Sequence, residues 1–337
     1  MKRILIIQTA FIGDVILATP LIEKLKNFYP KAEIDFLLRK GNEGLLKSHP
    51  KLNEVLIWDK KNAKYNNLAK LGRQIRRNKY DLLVNLQRFA SSGVLTTSSR
   101  AKIKIGFSKN PFSFAFTHKV PHVIDQKMHE VQRNLSLIES LTDNSFQGPV
   151  LYPSKSDFEK VSRFKKNGSY YCIAPASVWY TKQYPSEKWG ELIDNLRSDL
   201  SVFLIGAPGD LEMCAEIRDK SLHGNVKILA GELTFLQSAA LMKDARMNFV
   251  NDSAPMHIAS AVNAPVTAIY CSTIPEFGFG PLSDQSRVIE IKESLECRPC
   301  GLHGKKACPK GHFKCATLID TKEIIDFGKN KARPISG

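Results

Sequence analysis

An α/β fold built from two doubly wound lobes is what this sequence predicts. Three observations carry it: the length, the alternation of short apolar runs with helical periodicity, and the return of that wiring in the second half. At 337 residues the chain exceeds one typical domain, so two units of roughly 150 to 170 residues each are expected. We place them at 1–150 and 151–337. The hinge falls in the polar stretch Thr142-Asp143-Asn144-Ser145 and near Pro149 and Pro153.

The elements follow in order. Arg3 to Gln8 reads as a strand, Ile16 to Phe28 as a helix, Ile34 to Leu38 and Glu54 to Trp58 as strands, Leu68 to Lys79 as a helix, and Leu82 to Leu86 as a strand. Runs such as Leu82-Leu83-Val84 are apolar on both faces, as parallel strands covered by helices on both sides must be. The pattern weakens after Asn110, although Met128 to Leu141 still has helical spacing. It restarts with strand Tyr170 to Ala174, helix Ser186 to Arg197, strand Val202 to Ile205, and helices Asp210 to Lys220 and Phe235 to Met242. Strand Met247 to Val250, helix Ala254 to Val262 and strand Val266 to Tyr270 complete it. Two such lobes are expected to turn the C-terminal ends of their strands toward one central cleft, where ligands of open α/β sheets bind.

Lys and Arg outnumber Asp and Glu by 49 to 33, which draws the chain toward anionic partners: nucleic acid, anionic lipid or phosphorylated glycan. The cations thicken at Lys60, Lys61, Lys64, Lys70, Arg73, Arg76 and Arg77. A merely solvated helix face is the plainer reading of such a run. Without a recognition motif or interleaved aromatics, a nucleic-acid-binding protein is the distant alternative, and no nucleic-acid partner is expected. No apolar run approaches the roughly 18 residues of a membrane span. Gln8, Gly13 and Asp14 interrupt the N-terminal run that would otherwise resemble a signal peptide. With seven cysteines, an odd number, these features point to a reducing, cytoplasmic location.

Several segments carry chemistry. Gly13 and Asp14 follow the first strand at its turn into a helix, where Asp14 reads either as an N-cap or as a general base. A single glycine there does not make a dinucleotide fingerprint. In Ala174 to Pro185, Ser177 and Thr181 supply hydroxyls and Lys182 a cation suited to a diphosphate, a plain surface loop being the alternative. Asn251-Asp252-Ser253-Ala254-Pro255-Met256-His257 ends a strand and opens a helix. Its first amides form an anion site, and His257 lies one turn in. Cys297, Cys300, Cys308 and Cys315 have spacing compatible with a structural zinc site. A disulfide or buried free thiols are the other readings.

Taken together, Gly13 to Leu17, Tyr80 to Gln87, His129 to Leu135, Lys182 to Pro185, Asn251 to His257 and the terminal cysteine pattern resemble glycosyltransferase family 9, the ADP-heptose:lipopolysaccharide heptosyltransferases. The resemblance spans nearly the whole chain. It implies a GT-B fold of two Rossmann-like lobes and inverting transfer of heptose from ADP-heptose to the lipopolysaccharide inner core, on a Kdo or heptose acceptor. No cofactor is then required for catalysis. Asp14 matches the general base and Lys182 the diphosphate lysine. Asp252, Ser253, Ala254 and His257 fall on the donor loop, while Asp210 and Leu233 fall near the adenosine. Lys60, Lys61, Lys64 and Arg88 are the acceptor-binding candidates, and the basic stretch implies peripheral contact with the anionic cytoplasmic face of the inner membrane. Two positions depart from the family pattern: Ala254 stands where glycine is usual and Tyr184 where tryptophan is. A transferase of the same fold using another nucleotide sugar or glycan is the nearer alternative.

Overall fold

The computed structural model describes residues 1–124, 128–165 and 168–330, the side chains of 326–330 excepted. The chain divides into two units, Met1–Tyr152 and Pro153–Gly337.

The first unit runs β1 (Arg3–Ile7), α1 (Ile12–Ile16), α2 (Thr19–Phe28), β2 (Glu33–Arg39), β3 (Glu54–Trp58), α3 (Lys64–Asn78), β4 (Leu82–Asn85), α4 (Ala90–Ser98), β5 (Ile103–Phe107), β6 (His118–Val120) and α5 (Glu130–Ser136). Its six strands lie in the order β3-β2-β1-β4-β5-β6, all paired in parallel. Ile4 to Ile7 of β1 have no exposed surface, which is why this strand reads as continuously apolar. Burial of each such side chain contributes about 1.5–3 kcal/mol.

The second unit runs α6 (Lys155–Ser162), β7 (Tyr170–Ala174), α7 (Ser186–Asp194), β8 (Ser201–Leu204), α8 (Leu211–Lys220), β9 (Val226–Ile228), α9 (Phe235–Asp244), β10 (Met247–Asn251), α10 (Ala254–Ala261), β11 (Val266–Tyr270), β12 (Ser286–Glu290), α11 (Lys314–Thr317) and α12 (Thr321–Asn330). The sheet order is β12-β11-β10-β7-β8-β9, again parallel throughout. Trp189, Phe249 and Ile324 lie in its core with Cys214, Cys271 and Cys315. The α/β class and its two doubly wound sheets are thus as expected from the sequence.

One correction bears on function. The helix expected over 16–28 begins at Thr19, with Pro20 in its first turn, and a separate short helix, α1, precedes it over Ile12–Ile16. Proline has no amide to continue the ladder and its ring clashes with the preceding turn. The break is sealed by Thr19, whose hydroxyl donates to the Ile16 carbonyl at 2.7 Å. Asp14 therefore rides on a short separate helix directly after β1.

Each sheet reverses its winding at one place. In the first unit the chain moves outward from β1 through β2 and β3, then returns to the other side of β1 at β4. In the second it moves from β7 through β8 and β9 and returns beside β7 at β10. Loops leaving the C-terminal ends of strands at such a switch point diverge and leave room for a ligand.

Candidate functional site

Asp14 leaves β1 at the first switch point. It is not the N-cap of α1: that position is Phe11, and Asp14 stands three residues on, its carboxylate accepting the Phe11 amide at 3.1 Å. One oxygen is thereby held while the residue keeps partial contact with solvent. Burial raises the Asp14 pKa from 3.8 to about 6, and the charge of Glu130 adds to the rise, whereas backbone hydrogen bonds and Arg39 oppose it. A carboxylate poised there is ionised at neutral pH and basic enough to take a proton.

The surrounding charges come from three elements. Arg39 ends β2 with its guanidinium 4.7 Å above the Phe11 ring. Lys60 follows β3, and its ammonium donates to the Thr9 carbonyl at 2.7 Å and the Thr9 hydroxyl at 3.1 Å, 4.7 Å over the Trp58 ring. Burial, then the neighbouring charges of Arg39 and Lys64, lower the Lys60 pKa to about 8. Glu130 opens α5 and is buried; Arg133 holds it at 2.7 Å, with His122 at 3.9 Å. Burial alone would push the Glu130 pKa up, but the hydrogen bonds from His122 and Arg133 and the Arg133 charge outweigh it and hold it low. The helix α5 is pinned to this corner by Asn134, whose amide donates to the Leu17 carbonyl at 3.1 Å.

A prediction follows directly. Glu130→Gln removes a charge that raises the Asp14 pKa, so it should fall below about 6, though burial keeps it above 3.8. Arg39→Gln should move it the other way. Carboxyl carbon NMR titration of Asp14 in both variants checks the opposite signs, and shifts in the same direction would refute this account of the corner.

Of the acceptor candidates, only Lys60 belongs to this corner. Lys61 and Lys64 are exposed at the start of α3, and Arg88 is exposed after β4, with its guanidinium 5.7 Å from the Phe89 ring. Lys70, Arg73, Arg76 and Arg77 are exposed along α3, whose buried side is Leu71 and Ile75. A pocket of about 340 Å³ elsewhere in the unit is lined by Glu43, Leu46, Lys47, His49, Leu52 and Glu54 among others. It contains none of the candidate site residues described above.

In the second unit the two loops at the switch point meet. Lys182, after β7, places its ammonium 2.5 Å from the Asp252 carboxylate, after β10. Thr273 donates to the same carboxylate oxygen at 2.6 Å. Asn251 ties these loops, accepting the Tyr184 amide at 3.1 Å and donating to the Pro175 carbonyl. Ser253 caps α10 in extended conformation with no side-chain bond to the helix's first amides, and Pro255 lies in the first turn. Ser253 and Ala254 are partly exposed, whereas His257 is buried. Ser177 lies on the partly exposed stretch after β7.

Asp210 and Leu233 lie on adjacent loops. Asp210 accepts the Ala207 amide at 2.7 Å, and Gly231 donates to the Gly206 carbonyl at 2.9 Å just before Leu233. Thr181 is drawn into the scaffold. It is 1% exposed, and its hydroxyl accepts from the Lys305 amide at 2.8 Å and the Ser272 hydroxyl at 2.9 Å. These bonds tie the loop after β7 to the segments around Ser272 and Lys305.

Among the described residues no group of three His, Cys, Asp or Glu side chains is placed to hold a metal ion. Cys315 is turned into the core of the second unit, Cys300 donates to the Cys297 carbonyl at 3.3 Å, and Cys297 lies 3.8 Å from His312. Cys297, Cys300 and Cys308 nevertheless lie close enough to Cys315 that, after burial, their charges add to the rise of its pKa to about 11.

Sequence reasoning missed Arg39, Thr273, Ser272 and Lys305, and gave Glu130 no role. Arg39 had one usable signal: it is the last residue of a parallel strand, on the edge where ligands bind.

Comparison with known proteins now bears on this geometry. The model of glycosyltransferase family 9 (heptosyltransferase) matches residues 68–309, more than half of the chain. Lipopolysaccharide heptosyltransferase 3 of Escherichia coli is 33% identical over 281 residues, covering 78% of this chain and 82% of the relative. Among solved structures, a family 9 glycosyl transferase from Veillonella parvula superposes with a TM-score of 0.84 at 23% identity, covering 96% of this chain and 95% of that one. The E. coli ADP-heptose lps heptosyltransferase II gives 0.80 at 22% identity, with 97% of each chain covered. These likenesses carry the GT-B fold.

Proposed function

The chain belongs to glycosyltransferase family 9 and is a glycosyltransferase, and from that premise we propose that it transfers heptose from ADP-heptose to the lipopolysaccharide inner core with inversion. Met1–Tyr152 then binds the acceptor and Pro153–Gly337 the nucleotide sugar. Asp14 removes the proton from an acceptor hydroxyl as that oxygen attacks the anomeric carbon and the bond to ADP breaks. Negative charge developing on the leaving diphosphate is met by Lys182 and the amides of Ser253 and Ala254 at the start of α10, with Ser177 adding a hydroxyl. Asp252 serves the sugar, and Asp210 and Leu233 the adenosine. His257, buried one turn into α10, completes the donor loop. The displacement draws on no catalytic metal, because its charge stabilisation comes from these groups.

The observation that carries the reading is the meeting of Lys182 and Asp252 at one switch point, with Asp14, its pKa raised to about 6, at the other. The test incubates the protein with ADP-heptose, other ADP-sugars and UDP-sugars, and core-truncated lipopolysaccharide. A mass gain of one heptose with ADP-heptose alone is the expected product. Transfer from another donor would favour the second reading, a different nucleotide sugar, which the methyl of Ala254 motivates by narrowing the approach to the helix end.

The exposed cations of α3 suit the phosphorylated inner core and the anionic cytoplasmic leaflet, so the enzyme is proposed to work there as a peripheral protein. Among the described residues no helix is long and apolar enough to cross a membrane. Each cation near an anionic surface contributes about 1 kcal/mol. Combining Lys64→Gln, Lys70→Gln and Arg73→Gln should raise the KM for vesicle-borne acceptor roughly a hundredfold and leave the donor KM unchanged. An unchanged acceptor KM would remove α3 from the acceptor surface.

A further inference from the structure

The segment following Cys300 has no part in the reaction proposed above, yet it closes on the stem of Lys182. Gly304 has φ +76°, and a Cβ built there would stand 2.9 Å from Lys182 Cγ, 3.3 Å from its Cδ and 3.0 Å from Thr181 Oγ1. Real Cβ atoms do not approach carbon at 2.9 Å, so the glycine is what permits the contact. The next residue, Lys305, exchanges two hydrogen bonds with Thr181: its carbonyl accepts the Thr181 amide at 3.1 Å, and its amide donates to the Thr181 hydroxyl at 2.8 Å.

The same segment is tied to the strand that supports Asp252. The Cys300 amide donates to the Ser272 carbonyl at 2.8 Å, and the Ser272 hydroxyl donates to Thr181 at 2.9 Å. Arg298 donates to the Cys271 carbonyl at 2.8 Å and the Thr273 carbonyl at 2.7 Å, while Thr273 in turn holds Asp252. Hydrogen bonds thus tie the segment from Arg298 to Lys305 to the loop after β11 and to Thr181, the residue next to Lys182. A lysine stem is long and rotamer-rich, so a wall against its Cγ and Cδ removes conformers that point the ammonium elsewhere.

We propose that Gly304 and Lys305 form a positioning element for the donor site: the bare backbone of Gly304 walls the Lys182 stem, and Lys305 locks the adjoining Thr181, so that the ammonium is held where the donor diphosphate binds. The proposal rests on the reading of Lys182 as the diphosphate lysine. Its effect is on donor binding rather than on the acceptor.

The test is Gly304→Ala, compared with Gly301→Ala. Both glycines have left-handed backbones, φ +76° and +74°, but a Cβ at Gly301 meets nothing within 4 Å. The two substitutions therefore introduce the same kind of backbone strain, and only one of them presses on Lys182. For Gly304→Ala, the ADP Kd and donor KM should rise about tenfold, with the acceptor KM unchanged and Gly301→Ala like wild type. In a Lys182→Gln background, Gly304→Ala should add less than it does alone, since directly coupled residues are non-additive.

Equal effects of the two alanines, or a Gly304→Ala donor KM within twofold of wild type, would overturn the proposal. So would full additivity with Lys182→Gln. Should Gly304→Ala not fold, Ser272→Ala cuts one tie at a gentler site and should raise the donor KM several-fold, and an unchanged value there is equally fatal. A Lys182→Gln protein that binds ADP as wild type does would sink the reading of Lys182 and this proposal together. A weakened Lys182→Gln beside a normal Gly304→Ala sinks the proposal alone.

Discussion

Asp14→Asn should transfer sugar about 10²- to 10⁴-fold more slowly than wild type, the range expected on losing a general base, while binding ADP with unchanged affinity. The amide keeps the shape of the carboxylate, and its oxygen can still accept the Phe11 amide that Asp14 accepts at 3.1 Å, so the short helix α1 should persist. Only the capacity to take a proton is lost. Stability gives an independent check. Because burial raises the Asp14 pKa from 3.8 to about 6, the folded protein binds more protons than the unfolded chain between these values. Stability is therefore lost as pH rises through that window, and the loss is complete above it. Asparagine carries no charge to bury, so Asp14→Asn at pH 7.5 should melt no lower than wild type. A large drop in kcat with an unchanged or higher Tm marks a group kept for chemistry. Near-normal turnover would remove Asp14 from the reaction. The wild-type kcat/KM should rise with pH through about 6, where Asp14 ionises.

How much of this was legible in the sequence depended on which physical signal each part leaves. β1, β4, β7, β10 and β11 are buried on both faces, and their continuous apolar runs announce a parallel sheet. The amphipathic α3 and α7 announce themselves by period. By contrast, α4 is built from small and hydroxylated residues. It packs through close backbone approach, Gly93 lying where a Cβ would be 2.4 Å from the Asn110 side chain, and such packing leaves no hydrophobic period. The three-residue β6 is too short to leave one either. Pro20 was a visible breaker, and giving it full weight would have separated α1 from α2. The candidates that follow the strand ends, Asp14, Lys182 and Asp252, could be singled out because parallel sheets gather chemistry there. The bracing contacts of Thr181 were not legible, because a hydroxyl has no sequence mark for the direction it faces. Its partners, Ser272 and Lys305, lie 91 and 124 residues away, and Gly304 gains its meaning only from the lysine it touches.

Lys182→Ala should lower kcat by about 10²- to 10³-fold, the typical loss when a group stabilising developing negative charge is removed, and should also destabilise the second unit. The two effects have different origins. Lys182 and Asp252 lie 2.5 Å apart with side chains only 14% and 8% exposed. Removing the ammonium takes away the charge partner of the carboxylate and leaves the Thr273 hydroxyl still donating to it. Stranding a buried charge in this way costs about 3–5 kcal/mol, and the residual exposure of this pair argues for the lower end. A Tm fall of roughly 10 °C is the expected reading. Adding Asp252→Asn cancels the stranded charge, and the asparagine can still accept from Thr273, so the double variant should recover most of the lost Tm. Turnover should stay low, because no cation has returned to the leaving diphosphate. Thermal melts and single-turnover kinetics on the two single variants and the double variant separate the roles. If Asp252→Asn restored rate as well as stability, Lys182 would be a structural partner of Asp252 and the leaving-group charge would have to be met elsewhere. Recovery of stability alone shows that the lysine serves two anions in turn, Asp252 before the donor arrives and the diphosphate as the bond to ADP breaks.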